Sequence, residues 1–217
     1  MGKLVYIEAS PRGDRSYSSR VAHRFIEHYR ARCPQDELEH LELFALDLPE
    51  FGREAAGMKM AQIQNLVAGG KGIAPEGPWA VVHREVQRLK SADKVVISSP
   101  MWNYSIPYKL KHYFDLVCQP GVSFYVNREG RYVGMVRGKP LQLILASGSA
   151  YQMRFPTGDD GTKTDFQRAY LEHVARFIGF ADIRVLKVQP TEDAPPAEVA
   201  AMLDDKLREA EAAAAIF

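Results

Sequence analysis

The sequence predicts an open, doubly wound α/β sheet of five parallel strands in the order 2-1-3-4-5, with helices on both faces and a short β-hairpin excursion. Three observations carry this. Short continuous apolar runs, the kind buried on both faces of a parallel sheet, alternate with helical stretches along the chain. Gly and Pro clusters punctuate the alternation. Five strands suit an open sheet better than a closed eight-stranded barrel.

The elements follow in order. Leu4 to Ile7 is a buried strand, ended by Ser10-Pro11 and Gly13. Ser16 to Arg32 reads as a helix, with Val21, Phe25, Ile26 and Tyr29 at helical spacing, serines as caps, and Pro34 closing it. Leu38 to Phe44 alternates Leu with Glu and His and suits an edge strand. Arg53 to Val67 and Pro78 to Lys90 are helical, separated by the loop Gly69-Gly70-Lys71-Gly72. Lys94 to Ser98 is a third strand, and Tyr108 to Cys118 a helix with Leu110, Phe114 and Val117 on one face. Val122 to Tyr125 and Tyr132 to Met135 make the hairpin. Leu141 to Leu145 is a strand, Thr164 to Ile178 a helix, Ile183 to Val188 the fifth strand, and Pro196 to Ala215 a closing Ala- and Glu-rich helix. No repeat or linker interrupts the pattern, so residues 1–217 read as one domain.

Composition bounds the function. The 217 residues are 46% hydrophobic and 25% charged, with a formal net charge of +1, which gives no electrostatic reason to expect nucleic acid or an anionic membrane. The apolar run at the N-terminus is too short for a signal peptide, and no stretch approaches the length of a membrane span. Cys33 and Cys118 stand outside any Cys-x-x-Cys or metal-ligand spacing, as expected of unpaired thiols in a reducing compartment. The expected location is the cytoplasm.

In sheets of this order, ligands bind beyond the carboxyl ends of the strands, where the order reverses. The loops after strands 1, 3 and 4 are the unusual ones. The first, Ser10 to Ser19, opens a helix, whose free N–H groups and dipole favour an anion. Ser10, Ser16, Ser18 and Ser19 add hydroxyls, and Arg12 and Arg15 positive charge. It carries neither the triphosphate P-loop nor the dinucleotide glycine fingerprint, and suits a mononucleotide phosphate. A well-capped helix with spare serines would look the same. The second loop, Ser99 to Pro107, is stiffened by two prolines. Its Met101, Trp102 and Tyr104 can cover a flat ring, and Asn103 offers a donor and an acceptor. The alternative is an aromatic loop packed on the next helix. In the third loop, Ala146-Ser147-Gly148-Ser149-Ala150-Tyr151, Gly148 permits positive φ and close backbone approach.

Taken together, Glu8-Ala9-Ser10-Pro11-Arg12 with Ser16-Tyr17-Ser18, Pro100 to Pro107, Leu110 to Asp115, Gly121 to Phe124, Gly138-Lys139 and Ser147 to Ser149 resemble the FMN-dependent NADH-azoreductases, also described as NAD(P)H:quinone oxidoreductases, of the flavodoxin-like superfamily. The resemblance runs from the first strand to about Val188. It implies that Ser10, Ser16, Tyr17 and Ser18 hold the FMN phosphate. It implies that Met101, Trp102, Asn103 and Tyr104 contact the ring and ribityl chain. Ser147, Gly148, Ser149 and Ala150 would line the pyrimidine side, although Ser149-Ala150 departs from the Arg-Gly-Gly-like stretch of typical relatives. It further implies a homodimer with FMN near the interface, Phe124 and Tyr125 reaching a partner's site, and ping-pong reduction of quinones or azo compounds by NADH or NADPH. No side chain is then required as catalytic acid or base, because the chemistry belongs to the cofactor.

The remaining polar residues have plainer readings. His23, His28, His83, His112 and His173 lie in predicted helices without a paired nucleophile or metal partner and read as surface or packing residues. Asp159-Asp160-Gly161 has only part of a calcium loop and reads as a turn. Trp79 reads as a helix anchor, and Asp204-Asp205 as a solvated helix face. A non-enzymatic flavin carrier or redox-regulated binding module is the alternative. A phosphodiesterase-type hydrolase is disfavoured by the lack of a Gly-x-Ser-x-Gly or His/Asp ligand cluster.

Overall fold

Leu4 to Ile7 are at most 1% exposed, so strand β1 (Lys3–Glu8) is covered on both faces, as continuous apolar strands demand. The computed structural model describes residues 1–150 and 165–217. In chain order, α1 (Tyr17–Arg32), β2 (Glu37–Glu42), α2 (Arg53–Val67), α3 (Gly77–Ser91), β3 (Lys94–Pro100) and α4 (Tyr108–Val117) follow β1. Then come β4 (Phe124–Val126), β5 (Tyr132–Gly134), β6 (Pro140–Ala146), α5 (Phe166–Ile178), β7 (Asp182–Val188) and α6 (Pro196–Ala215).

The main sheet runs β2-β1-β3-β6-β7, every pair parallel. Numbered within that sheet, this is the expected order 2-1-3-4-5, with β2 at an edge. The antiparallel pair β4-β5 is the expected hairpin. Side chains alternate across the sheet with the period of a strand. Val5, Ile7, Val95, Ile97, Leu141 and Leu143 face α3, α4 and α5, where Trp79 is fully buried as a helix anchor. Leu4, Tyr6, Val96, Ile144 and Leu186 face α1 and α6, meeting Val21, Phe25 and Leu203. Two buried layers thus fix where every strand ends. The calcium-loop-like Asp159-Asp160-Gly161 and Tyr151 lie outside the described residues.

At the amino ends of the strands an ion network joins sheet to helix. Lys3 Nζ on β1 lies 2.8 Å from Glu39 Oε2 and 3.3 Å from Glu37 Oε1. Arg88 Nε on α3 lies 2.5 Å from Glu39 Oε1. Burial pushes the Glu39 carboxyl up, but Lys3 and Arg88 outweigh it and hold the group below its ordinary 4.5. A depressed folded value means the contribution is complete above the ordinary carboxylate value and is lost as pH falls. Acid unfolding followed by circular dichroism should therefore show stability falling below about pH 4.5. Glu39→Gln should flatten that slope.

Candidate functional site

The site is assembled at the carboxyl ends of the strands. After β1 the chain crosses Pro11 and Arg12, turns at Gly13 with φ of 52°, and enters α1 through Ser16. Ser16 is the N-cap: its Oγ accepts from the Ser19 N–H at 3.4 Å and lies 3.1 Å from Ser18 Oγ. Ser10 Oγ accepts from the Arg12 N–H at 3.4 Å. Ser10, Ser16 and Ser18 are all buried. The Tyr17 and Ser18 amides have no acceptor within the helix, as for any first turn. The first turn of α1 carries no acidic side chain, so the positive end of its dipole stands uncompensated by the helix itself.

After β3, Met101 N–H donates to Ala146 O at 2.7 Å, locking this loop to the end of β6. Trp102 and Ser105 exchange backbone hydrogen bonds of 2.9 and 3.0 Å. Between them Asn103 and Tyr104 have φ of 48° and 68°, the two left-handed positions of a type I′ turn. The stiffness expected from Pro100 and Pro107 is therefore reinforced by a closed two-residue turn. Trp102 also packs against Phe44 at 5.7 Å and Tyr108 at 6.2 Å. The aromatic loop does pack on the next helix, and it does so with its turn exposed. Asn tolerates φ of 48° and a β-branched residue does not. Asn103→Val should cost about 1–2 kcal/mol, read as a lower thermal midpoint.

After β6, Gly148 is not in the left-handed region, which corrects the expectation that its conformational freedom is used. A Cβ there would meet only the far end of the exposed Glu192 side chain, Oε2 at 2.9 Å, which can swing aside. Its carbonyl accepts from the amides of Thr191, Glu192 and Asp193 at 3.0, 3.1 and 3.2 Å. Ser147 Oγ donates to Ser149 O at 2.9 Å and to Gln189 Oε1 at 3.0 Å. Ser149 Oγ donates to Asp193, and Gln189 Nε2 to Ala150 O at 3.2 Å. The segment after β7 thus braces the third loop.

These loops enclose a cleft of about 130 Å³. Ser10, Arg12, Ser16 and Tyr17 form one wall, Pro100, Met101 and Trp102 another, and Ala146, Ser147 and Gly148 a third. Ser18 lies beneath Ser16, and Asn103 and Tyr104 form the exposed turn beside the cleft. Ser149 and Ala150 are engaged with the segment after β7 and are not among the lining residues. Thr191 and Glu192 line the cleft and were not singled out from sequence, although they too follow a strand's carboxyl end. Among the histidines, His112 Nε2 lies 2.9 Å from Pro49 O, a packing contact, whereas His23 lies 3.5 Å from the buried Glu8 carboxylate.

A family model described as the flavodoxin-like fold matches residues 2–213. An FMN-dependent NADH:quinone oxidoreductase of Nitratidesulfovibrio vulgaris is 44% identical over 193 residues, covering 88% of each chain. One from Desulfotalea psychrophila is 39% identical, covering 88% of this chain and 86% of its own. An FMN-dependent NADH-azoreductase from Bacillus anthracis, solved in complex with FMN, superposes with a TM-score of 0.79 at 27% identity, covering 99% of this chain and 98% of its own. With the sheet order above and a match across almost its entire length, the chain belongs to the flavodoxin-like fold family.

Proposed function

We propose that the chain is an FMN-dependent NADH:quinone oxidoreductase that also reduces azo compounds. One observation carries the reading: the acid-free amino end of α1, with Ser10, Ser16 and Arg12, faces a stiff aromatic turn across one cleft. This donor set fits a phosphate monoester attached to a flat ring. Ser10, Ser16 and Ser18, with the Tyr17 and Ser18 amides, would hold the phosphate. Met101 to Tyr104 would meet the ring, and Ser147 and Gly148 its polar edge. The cleft is well below the roughly 300–1,000 Å³ of a site that encloses its ligand. The loops would therefore cover only part of the ring, leaving room for a second flat molecule.

Bound there, FMN supplies a two-electron carrier that takes hydride from NADH or NADPH and delivers it to a quinone or azo acceptor in ping-pong order. The chain's part is orientation and electrostatics. Arg12 and the α1 dipole fix the anionic tail, and the closed turn holds Trp102 in one place. Proton delivery to product falls to water. No helix among the described residues is long and apolar enough to cross a membrane. Two unpaired cysteines favour a cytoplasmic setting.

A homodimer with the flavin near its interface accords with the shallow cleft. It also accords with the exposed apolar side chains Val67, Val126 and Tyr132, which are 83%, 54% and 66% exposed around one groove. The purified protein should be yellow. Anaerobic NADH should bleach it, and a quinone should restore the colour. A colourless protein that cannot be reconstituted with FMN overturns the reading. A yellow protein bleached by neither NADH nor NADPH leaves a flavin carrier.

A further inference from the structure

We infer that Glu8, His23 and His40 form a binding site for one divalent transition-metal ion of the zinc type, next to the phosphate cleft, with which its own cleft shares Ser10. Among the described residues, this is the one group of at least three His, Cys, Asp or Glu whose donor atoms converge, all within 4.8 Å of one another. The fold builds it from three elements. β1 and β2 are in parallel register with Tyr6 opposite His40. Glu8, two residues beyond Tyr6, therefore shares His40's face of the sheet. That is the face α1 covers, and α1 brings His23 over it.

The spacing suits a metal. Glu8 Oε2 lies 2.9 Å from His40 Nε2 and 3.5 Å from His23 Nε2. Ligands about 2.0–2.1 Å from a tetrahedral zinc stand roughly 3.3 Å apart. The rings are held in place: Tyr6 stacks on His40 at 4.5 Å with an interplanar angle of 18°, and meets His23 edge-on at 5.9 Å. These ring contacts limit how far each imidazole can turn.

A second observation points to a cation. Glu8 is 4% exposed, and its other oxygen, Oε1, is buried without a hydrogen-bond partner. Burial pushes this carboxyl up, yet the hydrogen bonds from His23 and His40, with the nearby Ser19 hydroxyl, hold it well below the usual range, so it is an anion in the fold. A buried carboxylate with an oxygen that finds no hydrogen-bond partner is a place where a bound cation is favoured. Entry is open through a cleft of about 450 Å³ that Glu8, His23 and His40 share with Ser10, Asp14 and Glu42. That cleft leaves a fourth position for water. Two imidazoles and one carboxylate select Zn(II), Co(II) or Ni(II) over the oxygen-seeking Mg(II) and Ca(II). An ion there would tie β1, α1 and β2 together two residues ahead of Ser10.

The test uses full-length, tag-free, flavin-loaded protein, stripped with chelator and titrated with ZnCl₂ by calorimetry. One zinc per chain is expected, with no heat from MgCl₂. His23→Gln and His40→Gln should each weaken binding at least about tenfold, and the double variant should abolish it. Should that variant fold poorly, histidine-ring nitrogen spectra of the unsubstituted protein decide, because zinc must shift Nε2 of both His23 and His40. Absence of zinc binding, undisturbed His23 and His40 signals, or unchanged affinity in the folded double variant overturns the site. FMN content is read independently from the flavin absorbance, so failure here leaves the oxidoreductase reading standing.

Discussion

Ser16→Asp should leave the folded protein as stable as before and strip it of flavin. Asp is as good an N-cap as Ser, and a negative charge at the amino end of a helix gains from the dipole by about 0.3–1 kcal/mol. Ser16 caps α1 and has its hydroxyl in the cleft that the phosphate would occupy. Two like charges about 4 Å apart near a protein surface cost on the order of 4 kcal/mol, roughly a thousandfold in affinity. The two effects have opposite signs. A thermal midpoint of the flavin-free protein that holds or rises, with an FMN dissociation constant raised by that order, is the expected pair. A variant that keeps its flavin at ordinary affinity would remove Ser16 from the phosphate site. Ser18→Asp should also lose flavin, but Ser18 neither caps α1 nor lines the cleft, so its fully buried carboxylate should destabilise the fold at the same time. The equally shielded Ser16 keeps its capping hydrogen bond and opens onto the cleft. The comparison separates charge repulsion from damage to α1.

What the sequence could reveal followed from local rules. Continuous apolar runs such as Val95-Val96-Ile97 mark strands buried on both faces, and the sheet places them centrally. The edge strand β2 declares itself by alternation, and its burial alternates poorly, as an edge position requires. Helices α2 and α6 have the bounds their patterns imply. Long-range partnerships are another matter. Phe44 joins Trp102 and Tyr108 in one aromatic cluster, and no spacing rule links it to residues more than fifty positions on. Glu8, His23 and His40 each look unremarkable in their own elements. Only the β1-β2 register and the seat of α1 bring them together. Gly148 shows a different limit: glycine in a loop suggests positive φ, yet this one does not adopt it, and its carbonyl instead gathers the amides of Thr191, Glu192 and Asp193, more than forty residues on in the chain. Local chemistry was legible, and what distant segments press against it was not.

At the opposite end of the sheet from the cleft, Arg88→Met should be among the most damaging single substitutions, and it should leave flavin affinity alone. Glu85 is 1% exposed on α3 and pairs with Arg88 one turn later and with Arg84 Nε at 3.1 Å. Arg88 also reaches Glu39 on β2, so it is the hinge between a buried carboxylate and the Lys3–Glu39 pair. Removing one partner of a buried ion pair costs about 3–5 kcal/mol, because the other charge stays behind in low dielectric. Arg84 is largely exposed and offsets only part of this. For a chain of this size the loss corresponds to a thermal midpoint lower by roughly 6–20 °C. Replacing both charges, Glu85→Leu with Arg88→Met, removes the stranded carboxylate and should recover most of the loss. A double-mutant cycle on thermal midpoints then reads the coupling directly. If Arg88→Met alone is nearly neutral, Arg84 alone suffices to pair the Glu85 carboxylate. If instead it costs flavin affinity while sparing stability, the two ends of the sheet are coupled, and the phosphate loop is not set by β1 and α1 alone.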